Sequence, residues 1–140
     1  MLSPMNSYRT LEAWKGAHRV ARLAHETTDR AYHPRARNLF DQLRRAAISV
    51  EANIVEGYAL NTIALCRRHL RIAFGSAAEA ECLLRLASEL GYLPEEAVRD
   101  ITLGLATTMR ALRGLLRHPP VTKGASRTGE YHALRTTHVS

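Results

Sequence analysis

RRAAISVEANIVEG, residues 44–57, is the stretch on which the reading of this chain turns. Ala46, Ala47, Ile48, Val50, Ala52, Ile54 and Val55 are apolar, yet Arg44, Arg45, Glu51, Asn53 and Glu56 are interleaved with them. Extended upstream, the stretch places Phe40, Leu43, Ala47, Val50 and Ile54 at alternating steps of three and four. That period is helical, and it predicts one helix over about 35–58 with a buried stripe and polar flanks. The question is what the polar residues beside that stripe do.

The same period recurs three more times. Leu11, Trp14, Ala17, Ala21 and Ala24 predict a first helix over about 11–29, broken at His33-Pro34. Cys66, Leu70, Ala73, Ala77, Ala80, Leu84 and Ala87 predict a third over about 62–90. Many of these residues are small, which lets a neighbouring helix approach closely. Gly75 inside that helix suggests close packing or a slight bend, and Gly91 is a suitable residue to end it. Val98, Ile101, Leu105, Thr108, Leu112 and Leu115 predict a fourth over about 94–117. Pro94 suits its first turn, and Glu95, Glu96 and Asp100 complement its positive dipole end. Four amphipathic helices with short links imply an all-α, antiparallel up-and-down four-helix bundle over 8–118. Residues 1–7 read as an N-terminal extension. Residues 119–140, rich in Ser, Thr and Gly without a sustained period, read as a disordered tail. Ile48, Val55, Ile72, Leu83 and Leu86 fall off the main stripes. They either widen the core or form a second apolar face for other subunits.

Composition narrows the function. The chain has 140 residues, 46% of them hydrophobic, enough for one domain with one core. No apolar run reaches the roughly 18 residues of a membrane span, and MLSPMNSYRT lacks a secretory apolar region. Cys66 and Cys82 lie 16 residues apart on one predicted helix, roughly 24 Å at about 1.5 Å per residue, too far to pair. Free thiols on apolar helix faces suit a reducing cytoplasm. Formal net charge is +7, carried by 18 Arg and two Lys against 13 acidic residues. Such a balance fits an anionic partner, RNA or DNA first, or else a solvated basic surface.

Three segments carry a resemblance. YRTLEAW (8–14), QLRRAAISVEANIVEG (42–57) and AFGSAAEAECLLRLASELGYL (73–93) resemble, in order and spacing, the bacterial four-helix bundle proteins, also called 23S rRNA intervening-sequence proteins. The resemblance implies a ring-shaped homopentamer. The family is distantly similar to the accessory variability proteins of diversity-generating retroelements, basic pentamers that associate with a reverse transcriptase and with RNA. The partners it implies are further copies of this chain, RNA, and a reverse transcriptase or other protein. Two departures stand out. Glu51 occupies a position where the family often has Pro, which removes a reason for helix two to bend. YALNTIALCRR follows Glu56-Gly57 where the family tends toward a Gly/Ser/Arg/Lys-rich stretch.

Arg45, Ser49, Asn53 and Glu56 share one helical face, with Arg44 beside it and Glu79 and Glu81 on the next helix. A di-iron bundle site needs E-x-x-H motifs, and none occurs, so no metal or cofactor is expected. The expected role is structural: Arg–carboxylate pairs and Asn hydrogen bonds along a helix or subunit seam. Arg67, Arg68 and Arg71, with His69, form a cationic stretch early in helix three. Arg35 and Arg37 form another at the start of helix two, toward the opposite end of the bundle. Both are candidate contacts to nucleic-acid phosphates. The dispersed histidines, His18 and His25 included, read as surface residues, and Trp14 as a core anchor. No catalytic motif is present, so the expected protein is a non-enzymatic RNA-associated accessory protein. The alternative is a protein–protein scaffold or adaptor without direct RNA binding.

Overall fold

The computed structural model describes residues 8–60 and 62–120. The N-terminal extension and the tail beyond Pro120 lie outside the described residues. A 3-10 turn, Tyr8–Thr10, leads into α1, Glu12–Arg30. His33-Pro34 breaks the chain as expected. A second 3-10 turn, Pro34–Ala36, follows, with the His33 side chain accepting from the Arg35 N–H at 3.1 Å. Arg35 therefore sits in the turn and only Arg37 in the helix that follows, α2, Arg37–Leu60. Helix α2 is continuous through Glu51. Thr62 caps α3, Ile63–Glu89, by accepting from the Leu65 N–H at 3.3 Å. Gly91, at φ +74°, ends it. The Tyr92 N–H reaches the Ala87 carbonyl at 2.9 Å and the Gly91 N–H reaches Ser88 at 3.0 Å. That pair of bonds is the Schellman pattern, and its left-handed residue favours glycine. Pro94 is the cap residue of α4, Glu95–Arg117, one position before the first turn assigned to it from sequence.

Neighbour relations close the bundle. The α2–α3 seam is the most extensive, followed by α1–α4, α1–α2 and α3–α4. Cross-helix pairs give the directions. Ser49 meets Ser76 and Glu56 meets His69, so α2 and α3 run antiparallel. His18 meets Glu51 and Asp29 meets Arg44, so α1 and α2 do too. Gly16 lies against Thr108 and Gly104 against Val20, which sets α4 antiparallel to α1. No described helix is long and apolar enough to cross a membrane.

The core follows the predicted stripes closely in α2 and α3. All five α2 positions and all seven α3 positions named from the period are buried. In α1 the buried face is shifted. Ala13, Val20 and Thr28 join Ala17, Ala21 and Ala24 inside, while Leu11 and Trp14 are half-buried at its edge. Trp14 leaves the centre because it stacks on His18 (centroids 4.8 Å) and receives the edge of Tyr8 (5.2 Å). Two of the three buried threonines satisfy their hydroxyls within their own helices, Thr28 donating to Ala24 and Thr108 to Gly104, each at 2.7 Å, and the third, Thr62, is the α3 cap. Cys66 is buried, and burial pushes its thiol pKa up. Cys82 is exposed, contrary to the expectation that both thiols lie on apolar faces. It falls on the outer side of α3, away from the stripe that holds Cys66.

Among the off-stripe residues, Ile48, Ile72 and Leu86 are 46%, 42% and 45% exposed, so they do not widen the core. Leu83 does pack against it, and Val55 is half-buried.

Glycine positions divide into two kinds. A Cβ on Gly16 would lie 2.5 Å from Thr108 Oγ1, and one on Gly104 would lie 2.8 Å from Val20 Cγ2. Gly75 and Gly114 face open space, so the close packing suggested for Gly75 is absent within the chain. Ala at Gly16 or Gly104 is therefore expected to destabilise by about 1–3 kcal/mol through overpacking. Gly114→Ala should instead stabilise by up to about 1 kcal/mol. Urea midpoints of the three variants check this, and equal effects at Gly16 and Gly114 would refute the close α1–α4 approach.

Candidate nucleic-acid interface

The polar cluster read from residues 44–57 does not form one site. It separates into three. Arg44 turns toward α1, not α3. Its Nε donates to Thr28 Oγ1 and its Nη2 to Asp29 Oδ1, both at 2.7 Å, with Asp41 Oδ1 at 3.9 Å. Arg45 is exposed and has no carboxylate partner among the described residues. Glu79 is exposed and likewise unpaired, and Glu81 pairs with Arg85 one turn on, at 2.6 Å. Neither glutamate reaches the α2 arginines. The helical wheel explains the split: Arg44 stands on the α1 side of α2, while Asn53 stands on the α3 side.

The α2–α3 seam carries a hydrogen-bonded chain instead. Asn53 Nδ2 donates to the Ser49 carbonyl at 2.8 Å and to Ser49 Oγ at 3.1 Å. The Ser49 carbonyl can only accept, so the Asn53 amide oxygen must face the other way, toward His69. His69 Nδ1 lies 3.0 Å from that oxygen and 3.3 Å from Glu56 Oε2. Nδ1 therefore carries the proton that Asn53 accepts. Ser49 Oγ and Ser76 Oγ share the next bond at 2.8 Å. Gly57 allows the fit, since a Cβ there would come 3.0 Å from His69 Cβ. His69 is thus a half-buried seam residue and not the surface histidine expected. His25 is also half-buried, its Nδ1 2.8 Å from the Ala21 carbonyl. His18 is about half exposed and lies 2.9 Å from Glu51 Oε2, so Glu51 holds α2 to α1.

Charge is distributed very unevenly along the bundle. One half contains the start of α1, the end of α2, the start of α3 and the end of α4. Residues 8–20, 49–60, 62–75 and 107–120 hold nine Arg and Lys against three Glu. The other half, residues 21–48 and 76–106, holds eight against nine. All three glutamates of the cationic half are engaged, Glu12 with Lys15, Glu51 with His18 and Glu56 with His69. Among the described residues, none of its eight arginines has a carboxylate within 4.0 Å. Arg9 lies over the Tyr8 ring and Arg113 over the Phe74 ring. Arg67, Arg68 and Arg71 follow directly on the first turn of α3, which has no acidic residue. Cations there oppose the helix dipole, so local helix stability does not explain them.

Arg35 and Arg37 are exposed at the opposite end, the end at which α4 begins with Glu95, Glu96 and Asp100. Arg67, Arg68 and Arg71 are joined at their end by Arg110, Arg113 and Arg117 from α4, which were not singled out in the sequence. Their spacing of three and four was legible as one helical face. What the sequence pattern did not supply was the neighbour, because only the bundle's closure sets the end of α4 beside the start of α3. Elsewhere, a shallow groove of about 350 Å³ between α1 and α4 is lined by Lys15, Arg19, Glu12 and Asp100, charges of both signs. Among the described residues, no three His, Cys, Asp or Glu side chains stand close enough to hold a metal.

The two ion pairs make a contrast. Arg44 is about three-quarters buried and bonds a fully buried hydroxyl, so Arg44→Ala is expected to cost about 1–2 kcal/mol. Arg85 pairs with Glu81 on an exposed helix face, where Arg85→Ala should change stability by less than about 0.5 kcal/mol. Thermal or urea unfolding of both variants tests it. A larger loss at Arg85 would contradict the assigned roles.

Comparison with curated proteins yields no match. The family model described as 23S rRNA-intervening sequence protein matches residues 9–114, all four helices but for the last turn of α4. The chain belongs to the 23S rRNA-intervening sequence protein family.

Proposed function

We propose that this protein is a cytoplasmic, non-enzymatic, RNA-associated accessory protein that assembles as a homopentameric ring and holds RNA phosphates through arginines repeated around it. The observation that carries the reading is the segregated charge. Nine cationic side chains gather in one half of the bundle, against three glutamates that already have partners. Leaving so many arginines uncompensated raises self-repulsion, and a polyanion relieves it by exchanging condensed counterions for protein charge. Arg67, Arg68 and Arg71 belong to this half. Arg35 and Arg37 lie outside it, at the opposite end. The family's name supports an RNA context and specifies no reaction.

Assembly is supported by Ile48, Ile72 and Leu86, three large aliphatic residues exposed on the α2–α3 hairpin. Polar residues Arg45 and Glu79 stand near them as a rim, the arrangement expected of a subunit interface. The same exposed aliphatic residues favour the second reading, a scaffold or adaptor for a reverse transcriptase or another protein.

Gel filtration with light scattering, with absorbance at 260 and 280 nm, on protein purified without nuclease, tests both parts. The expected result is a five-chain mass with excess 260 nm signal that nuclease or high salt removes. A five-chain mass free of nucleic acid would favour the scaffold. A monomer would refute the ring. Ile72→Asp should lower the mass to that of smaller species while helical circular dichroism is retained.

A further inference from the structure

Arg67, Arg71 and Phe74 lie at steps of four and three on α3, on the side that faces α4. Arg110, Arg113 and Arg117 lie at steps of three and four on α4. The two rows meet where the Arg113 guanidinium covers the Phe74 ring, 5.3 Å from its centroid. Arg68 stands further round α3, toward the outer side that carries Ile72 and Leu86. The arginine triplet read from the sequence therefore divides between two faces, and its α3–α4 part is completed by a second triplet from α4.

We propose that the α3–α4 rows form a backbone-contacting site for double-helical RNA, built from Arg67, Arg71, Arg110, Arg113 and Arg117. This rests on the RNA reading above and adds the form of RNA and the residues that hold it. Arg67 to Arg71 spans about 6 Å along the axis and Arg110 to Arg117 about 10.5 Å, on helices roughly 8–10 Å apart. Five guanidinium groups thus cover a patch wide enough to meet phosphates of both strands. Each fork suits two phosphate oxygens. Sites for unpaired RNA take much of their affinity from bases stacked on open aromatic faces. Here the ring between the two rows is already covered by a cation. Trp14 and Tyr8, at the same end, pack on each other, and Trp14 also stacks on His18. The contacts on offer are charge contacts, and these favour the strand arrangement with the higher phosphate density.

The test uses the full chain in a polarisation titration over a series of salt concentrations. The probes are a short labelled duplex RNA and its unpaired strand. Arg67→Gln, Arg71→Gln, Arg110→Gln and Arg117→Gln are combined in one variant, and Arg35→Gln with Arg37→Gln in another. All six side chains are exposed or half-buried, and circular dichroism checks that both variants fold. The expected result is tighter binding of the duplex, with log K falling steeply against log salt. The slope should flatten by about one per arginine removed from the α3–α4 rows, and stay unchanged in the Arg35 and Arg37 variant. Unpaired RNA binding as tightly as duplex would overturn this inference and leave the RNA reading standing. Equal loss in the two variants would overturn the assignment to α3 and α4. Failure of both RNAs to bind at low salt would overturn the RNA reading as well.

Discussion

The contact between α1 and α4 is the constraint on which the rest of the molecule depends. Gly16 leaves room for Thr108, and Gly104 leaves room for Val20. Thr108 is held in place by its own bond to the Gly104 carbonyl. Without the glycines the two helices would have to move apart, and α4 is the element that closes the square. Its position decides which residues of the first three helices remain covered. It also decides which arginines meet, because the last two turns of α4 reach the start of α3 only when α4 lies flat against both neighbours.

Bundle closure works against electrostatics at one end. Antiparallel alternation sets the start of α1 beside the end of α2, and the start of α3 beside the end of α4. Cations near three of these termini, the start of α1, the start of α3 and the end of α4, are thereby concentrated, while the end of α2 carries none. The repulsion is spread over exposed side chains and screened beyond about 8–10 Å at ordinary ionic strength. The buried stripes of α2 and α3, with large residues such as Phe40, Leu43, Leu70 and Leu84, outweigh it. Each large buried side chain contributes roughly 1.5–3 kcal/mol of transfer free energy, more than an exposed pair of like charges costs. The fold can therefore tolerate a charge distribution that does nothing for its own stability.

The polar residues that first posed the question within residues 44–57 turn out to be mostly architectural inside the chain. Arg44 fastens α2 to α1 through Thr28 and Asp29. Glu51 does the same through His18, and Asn53 and Glu56 engage His69 on α3. One short segment thus bonds to both neighbouring helices, which is why its polar and apolar residues are interleaved. Arg45 is the exception, exposed and without a carboxylate partner among the described residues.

By itself the sequence determined the four helices, their ends to within two residues, and nearly all of the buried stripes of α2 and α3. These depend on local period, on Gly91, and on the prolines at 34 and 94, all of which act over a few residues. It also determined the family, through three ordered segments. Tertiary structure decided the partners. Arg44 binds α1 instead of Glu79 or Glu81, His69 is drawn into a seam, Trp14 moves to the edge of the core, and Cys82 faces out. It also brought Arg110, Arg113 and Arg117 beside Arg67 and Arg71. A helical period says which residues share a face. Which face meets which is set by how four helices fill one core together, and that depends on all of their side chains at once.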